Sequence, residues 1–229
     1  MSALSTLRRT IAGSWRSWLA ITVGFTLAYY LALLAIVIVR IGHLPNYVTW
    51  YNYPANALRI LRSTPAFGDV LPIIAEEWLV EIGSMNYGYG RGIAEWSLEI
   101  LPAKLAMVVM LGMLIAASVL LLRRLRACRR GADSGVIAGA GMGAVLVGLT
   151  NVTMSWVACC AAPSWVVGLS IVGVGTSTAF ALLPYGSLIT WLGFTMLLTT
   201  TYLLARRCAA ADDDQKVVAA PFAAAIPRA

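Results

Sequence analysis

Between Asp133 and Arg206 the chain contains no Asp, Glu, Lys or Arg. A soluble domain cannot keep so long a stretch free of charge, because its surface must offer water an ionic or strongly polar face. Lipid is the solvent that accepts it. The whole chain points the same way: of 229 residues, 60% are hydrophobic and 12% charged, where soluble proteins average about 45–50% apolar and about 25% charged. The formal net charge of +7 does not point to nucleic acid, since the basic residues stand at the ends of apolar segments, where they anchor helices to a negative lipid surface.

The first apolar segment, residues 18–40, follows Arg8, Arg9 and Arg16. It has the roughly 20 residues needed to cross the hydrocarbon and exceeds the 7–15 apolar residues typical of a cleaved signal. It reads as a retained anchor with residues 1–17 in the cytoplasm. A second crossing, residues 101–122, begins at Pro102, a residue allowed at a helix start, and ends in Arg123, Arg124, Arg126, Arg129 and Arg130. That basic knot, in residues 123–134, belongs in the cytoplasm under the positive-inside rule, in agreement with the first crossing.

The intervening residues 41–100 are therefore expected outside the cytoplasm. Prolines at 45, 54, 65 and 72 divide the segment. Asn56–Arg62 and Leu71–Ile82 have apolar residues at helical spacing, with Glu76, Glu77 and Glu81 on the polar side of the second; both are expected as short helices lying on the membrane surface. Tyr47, Trp50, Tyr51 and Tyr53 suit a belt at headgroup level.

The uncharged region 135–206 offers three further spans: Gly135–Val157, Ser164–Leu183 and Ser187–Ala205. The expected architecture is thus all-α: a polytopic transmembrane helical bundle of about five spans, with an extracytoplasmic loop containing interfacial helices, in a bacterial-type inner membrane. Arg206 and Arg207 favour an even number of crossings, so four spans with a bent or re-entrant segment form the rival arrangement. Residues 207–229, Ala-rich and without periodicity, are expected to be disordered. Gly135, Gly139 and Gly143 recur at the small-xxx-small spacing that lets helices approach closely in lipid.

Chemistry is concentrated in sulfur. Cys159 and Cys160 are adjacent and followed by Pro163. Neighbouring residues on a helix point about 100° apart, so two thiolates converge most readily where the helix bends, and proline supplies a bend. Soft thiolates favour soft cations such as Hg(II) or Cu(I), bound transiently in an exchangeable two-sulfur site. Packing alone also explains buried cysteines, which behave as small apolar side chains. The passage from Ser155 through Cys159-Cys160 and Pro163, followed by Gly168, Gly173, Gly175, Pro184 and a last span ending in Arg206-Arg207, resembles the mercuric-ion transport proteins of the MerT type. That resemblance covers the last third of the chain. It implies that Cys159 and Cys160 accept the ion on the outer side and pass it inward by thiol exchange. A second cysteine pair, usual in that family, is missing; Cys128 and Cys208 are single and flank membrane segments.

The second functional class is a non-catalytic accessory or structural subunit of a larger membrane complex. The aromatic loop, the turn region from Asn86 to Gly92 and the glycine-rich helix faces would provide contacts to membrane-protein partners or to further copies of the chain. An enzyme is not expected. His43 is the single imidazole, and neither a Ser/His/Asp set nor a phosphate-binding or dinucleotide-binding loop is present; Glu76, Glu77 and Glu81 read as a solvated acidic face.

Overall fold

The computed structural model describes residues 2–88, 90, 92–127, 154–155 and 185–223. In chain order these form α1 (Ala3–Gly13), α2 (Trp15–Ile41), β1 (Tyr47–Trp50), α3 (Tyr53–Ser63), α4 (Phe67–Ala75), β2 (Val80–Asn86), β3 (Ile93–Ile100), α5 (Pro102–Ala127), β4 (Met154–Ser155) and α6 (Gly186–Ala223). Among the described residues three helices are long and apolar enough to cross a membrane: Trp15–Ile41, Pro102–Leu125 and Leu188–Asp212. Side-chain exposure supports that reading. Leu19, Val23, Leu27 and Leu31 recur every four residues on α2 and are 48–63% exposed, so this helix turns an apolar stripe outward, opposite to the habit of a soluble helix. Of the three spans expected after Gly135, Ser187–Ala205 falls on α6. Gly135–Val157 and Ser164–Leu183 lie outside the described residues, with the glycine repeat, except that Met154 and Ser155 are strand where the third span was expected to be helix.

Contacts divide the chain into two units. The first comprises the chain up to Phe25, α5 from Leu111 and α6 from Thr190, and it is helical. Ser2 caps α1, its hydroxyl accepting from the Ser5 amide at 3.2 Å, which satisfies one of the free donors at a helix start. One apolar cluster joins Leu111, Phe194 and Leu197 with Phe25, Leu114 and Ile115. Another joins Leu121, Leu125, Leu204, Ala205 and Cys208 with Leu7. Gly112 allows α5 to approach α2 closely, since a Cβ there would lie 3.2 Å from the Thr22 carbonyl oxygen. Polar links fix the register: the Trp18 indole donates to the Met113 carbonyl at 3.2 Å, and Ser118 and Thr201 hydroxyls meet at 2.9 Å. At the far end Arg124 donates to Thr10 Oγ1 at 2.9 Å and to Asp212 Oδ2 at 2.8 Å. The segment after Arg207 was expected to lack structure, yet α6 continues to Ala223. Alanine is the strongest helix former, and the Arg124–Asp212 pair anchors the helix at the end of its span.

The second unit, Thr26 to Met110 with β4 and the beginning of α6, corrects the all-α expectation. Four strands form an antiparallel sheet in the order β1-β2-β3-β4. β3 shows why: Trp96, Leu98 and Ile100 alternate with Ser97 and Glu99, the period of a two-faced strand. Trp96 and Leu98, each 1% exposed, cluster with Leu33 and Val37 of α2. Burial of one face drives the sheet to form; the other face is polar. The expected helix Leu71–Ile82 is therefore two elements, α4 ending at Ala75 and β2 beginning at Val80. The helix expected at Asn56–Arg62 is present within α3, capped by Asn52, whose side chain accepts from the Ala55 amide at 3.4 Å.

Candidate functional site

Among the described residues of the second unit, functional groups gather on the polar face of the sheet. Glu81 of β2 lies opposite Thr49 of β1 and Glu99 of β3. Its carboxylate accepts the Tyr47 hydroxyl at 2.7 Å and the Tyr51 hydroxyl at 2.6 Å. Gly83 makes this possible. It pairs with Tyr47 across the strands, and the Tyr47 ring passes over the space a side chain would occupy: a Cβ on Gly83 would lie 2.5 Å from both Tyr47 Oη and the Trp96 carbonyl oxygen. Burial first, and then the hydrogen bond to Glu81, raises the pKa of the Tyr47 phenol. The same two causes push Tyr51 up to about 12. Both phenols therefore remain protonated donors across the physiological range. The Tyr51 ring also meets Trp78 edge-on, with centroids 5.4 Å apart.

A second carboxylate, Glu95, organises the other end of the sheet. Asn86 Nδ2 donates to it at 3.0 Å and Ser84 Oγ at 3.4 Å. His43 Nδ1 stands 3.7 Å from Glu95 Oε2, a charge pair when the imidazole carries a proton. The register between β2 and β3 shifts at Ser84/Met85. On the other side of β2 the pairing with β1 ends at Tyr47 and Gly83, and beyond it the Asn46 side chain stands in for a strand partner, donating to the Met85 carbonyl at 2.7 Å and accepting the Met85 amide at 2.8 Å. Beyond the bulge, Asn86 Oδ1 accepts the Gly88 amide at 3.0 Å, and Gly90 and Gly92 take positive φ to complete the hairpin turn.

These groups do not share the solvated acidic face expected of Glu76, Glu77 and Glu81. Glu76 caps the end of α4, Glu77 accepts from Asn56 Nδ2 at 2.8 Å, and Glu81 sits on a strand. The aromatic residues expected in a headgroup belt divide likewise: Tyr47 and Tyr51 commit their hydroxyls to Glu81, while Trp50 is 77% exposed. The sequence signal for the pairing was the alternation in β2 and β3, which places Glu81 and Glu99 on one face. Chemically, Glu81 is a clamp: with both phenols donating to it, it ties β1 and the residue after it to β2.

The expected acceptor pair, Cys159 and Cys160, lies outside the described residues, as does Cys128. Cys208 is 2% exposed, and its thiol donates to the Leu121 carbonyl at 3.5 Å; it fills the helical core and is closed to exchange with a solute. Among the described residues no three His, Cys, Asp or Glu side chains come together in a way that could hold a metal ion.

No protein family, curated protein or solved structure matches the chain. What the fold defines is a class: three helices with the length and composition of membrane spans, among the described residues, mark a membrane protein, and it carries a small antiparallel sheet, three strands of which lie with two short helices between the first two spans and the fourth after the second.

Proposed function

We propose that the chain is a non-catalytic subunit of a membrane protein assembly and that its sheet unit carries the docking surface. The observation behind this reading is the apolar face of the sheet. It begins at Trp96 and Leu98, both buried, passes through Ile82, and emerges at β1, where Val48 is 54% and Trp50 77% exposed. Large apolar side chains in a continuous exposed patch mark interaction sites, and tryptophan is the residue most enriched where partners bind tightly. The polar clamp on the opposite face keeps this edge rigid, which lowers the entropy lost on association.

In this reading the chain spans a bacterial-type inner membrane about five times. Arg8, Arg9 and Arg16 and the knot from Arg123 to Arg130 stay cytoplasmic, which puts residues 41–100 on the outer side. Purification in mild detergent, followed by identification of co-purifying subunits, tests it. A partner in fixed ratio, lost on Trp50→Ala combined with Val48→Asp while the sheet remains folded, supports the assignment; a chain that purifies alone from its native membrane refutes it.

Soft-metal handling through Cys159 and Cys160, in the manner of the MerT-type proteins, is the second reading. One observation favours it: β4 pairs Met154 and Ser155 with Leu98 and Ser97 of β3, so the cysteine pair follows in sequence four residues after a strand of the same sheet. Bound metal in the purified protein, lost on Cys159→Ser with Cys160→Ser, would support this reading against the first.

A further inference from the structure

α3 has three faces. Steps of about 100° per residue bring Tyr53, Asn56, Ala57 and Ile60 to one side, where all are partly buried and Asn56 is bound to Glu77. A second sector holds Pro54, Leu58 and Leu61, with the two leucines 52% and 47% exposed. The third holds Ala55, Arg59, Arg62 and Ser63, which together with Leu58 line a shallow open depression of about 480 Å³. The helix contains no acidic residue, and among the described residues neither Arg59 nor Arg62 has an ion pair.

An exposed apolar edge stands beside an unpaired basic strip. The leucines gain by leaving water, and two arginines one turn apart on the same face make a local positive potential that attracts an anion. One environment satisfies both sectors at once. At the boundary of a bilayer the leucines reach acyl chains while the arginines, extended along their stems, meet phosphate oxygens in the bidentate geometry that guanidinium favours. Tethering keeps α3 near such a boundary, because the chain leaves the spanning helix α2 at Ile41 and enters α3 at Tyr53. The apolar surface also extends into the neighbouring α4, where Leu71 is 76% exposed.

We infer that α3 is an interfacial helix whose Arg59 and Arg62 bind the phosphate of an anionic phospholipid, with Leu58 and Leu61 inserted at the acyl boundary. This site is independent of the docking edge at Val48 and Trp50.

The test uses the full chain reconstituted in nanodiscs of an equal mixture of phosphatidylcholine and phosphatidylglycerol, with native mass spectrometry counting the lipids retained on release and hydrogen exchange following α3. The wild-type chain should retain phosphatidylglycerol in excess, and its α3 amides should be better protected than in pure phosphatidylcholine. R59Q/R62Q should lower the preference about thirtyfold, since two basic residues near an anionic surface each contribute about fivefold. R59K/R62K should keep most of it, because charge is retained and only the bidentate fork is lost. Unchanged exchange in β2 and β3 certifies that the variants are folded; if R59Q/R62Q disturbs those strands, the comparison rests on R59K/R62K against R59Q alone. Equal retention of the two lipids by the wild type, or an undiminished preference in the glutamine variants, overturns the proposal. So does a co-purifying protein whose loss follows R59Q/R62Q, which would make the strip a protein contact.

Discussion

Replacing Glu81 by leucine removes the acceptor of two hydrogen bonds at once. Hydrogen bonds to a charged group contribute about 1.5–3 kcal/mol when well shielded. Here all three side chains are partly exposed, so about 1 kcal/mol each is the better figure, or about 2 kcal/mol together. The loss should appear in the opening of β1 away from β2, because Tyr47 and Tyr51 flank the strand and Glu81 belongs to its neighbour. Two amides report on that opening: Tyr51 N–H, which donates to the Leu79 carbonyl at 3.1 Å, and Asn46 N–H, which donates to the Gly83 carbonyl at 2.9 Å. Hydrogen exchange in detergent micelles reads local opening directly, and with about 1.4 kcal/mol per tenfold the expected fall in protection is about thirtyfold. Tyr47→Phe and Tyr51→Phe should each give about fivefold. In the Glu81→Leu background neither should add anything, since the acceptor is already gone. If Glu81→Leu changes Tyr51 protection by less than about twofold, or if Tyr51→Phe keeps its full effect in that background, the clamp does not hold the edge strand and the reasoning fails.

Alkaline titration provides a second check. The folded state holds the Tyr51 proton more tightly than the unfolded chain, whose phenol has the ordinary value of 10.0; the stabilising contribution is complete below about pH 10 and is lost as pH rises towards 12. Phenolate absorbance should show Tyr51 titrating late in the native protein and returning towards the ordinary value in Glu81→Leu. Gly83→Ala should destabilise the sheet by about 1–3 kcal/mol through overpacking against the Trp96 carbonyl and the Tyr47 ring, measured as a lower midpoint of thermal unfolding by tryptophan fluorescence. Arg124→Ala should destabilise the helical unit by about 1–3 kcal/mol, because it leaves the Asp212 carboxylate, 16% exposed, without its guanidinium. Asp212→Asn should cost less, and thermal inactivation in detergent would separate the two.

The spanning helices were legible because length and uniform apolarity need no knowledge of partners. Residues 18–40 became Trp15–Ile41 and residues 101–122 became Pro102–Ala127. The sheet was obscured by its charges. Glu77 and Glu81 stand four apart, as on one face of a helix, and Pro72 with the apolar residues after it fits an amphipathic helix equally well. Pairing with residues far along the chain decided the matter, and strand preference depends on such neighbours more than helix preference does. The alternation from Trp96 to Ile100 was readable, yet glutamates at 95 and 99 made that stretch look like a solvated loop. The convergence of Tyr47 and Tyr51 on Glu81 emerges only once Tyr47 is set against Gly83. For the expected metal pair, residue chemistry was legible while position is not among the described residues.

The bulge at Ser84/Met85 and the strict alternation beyond it have a consequence for how this chain could vary in length. Adding a residue within 87–92 would merely enlarge a hairpin end already built on glycines at 90 and 92. Adding one between Trp96 and Ile100 would reverse the parity of the rest of the strand, carrying Glu99 beneath α2 and turning Leu98 out to solvent. Relatives of this protein should therefore gain and lose residues at the tip of the hairpin and keep the spacing of its return arm fixed.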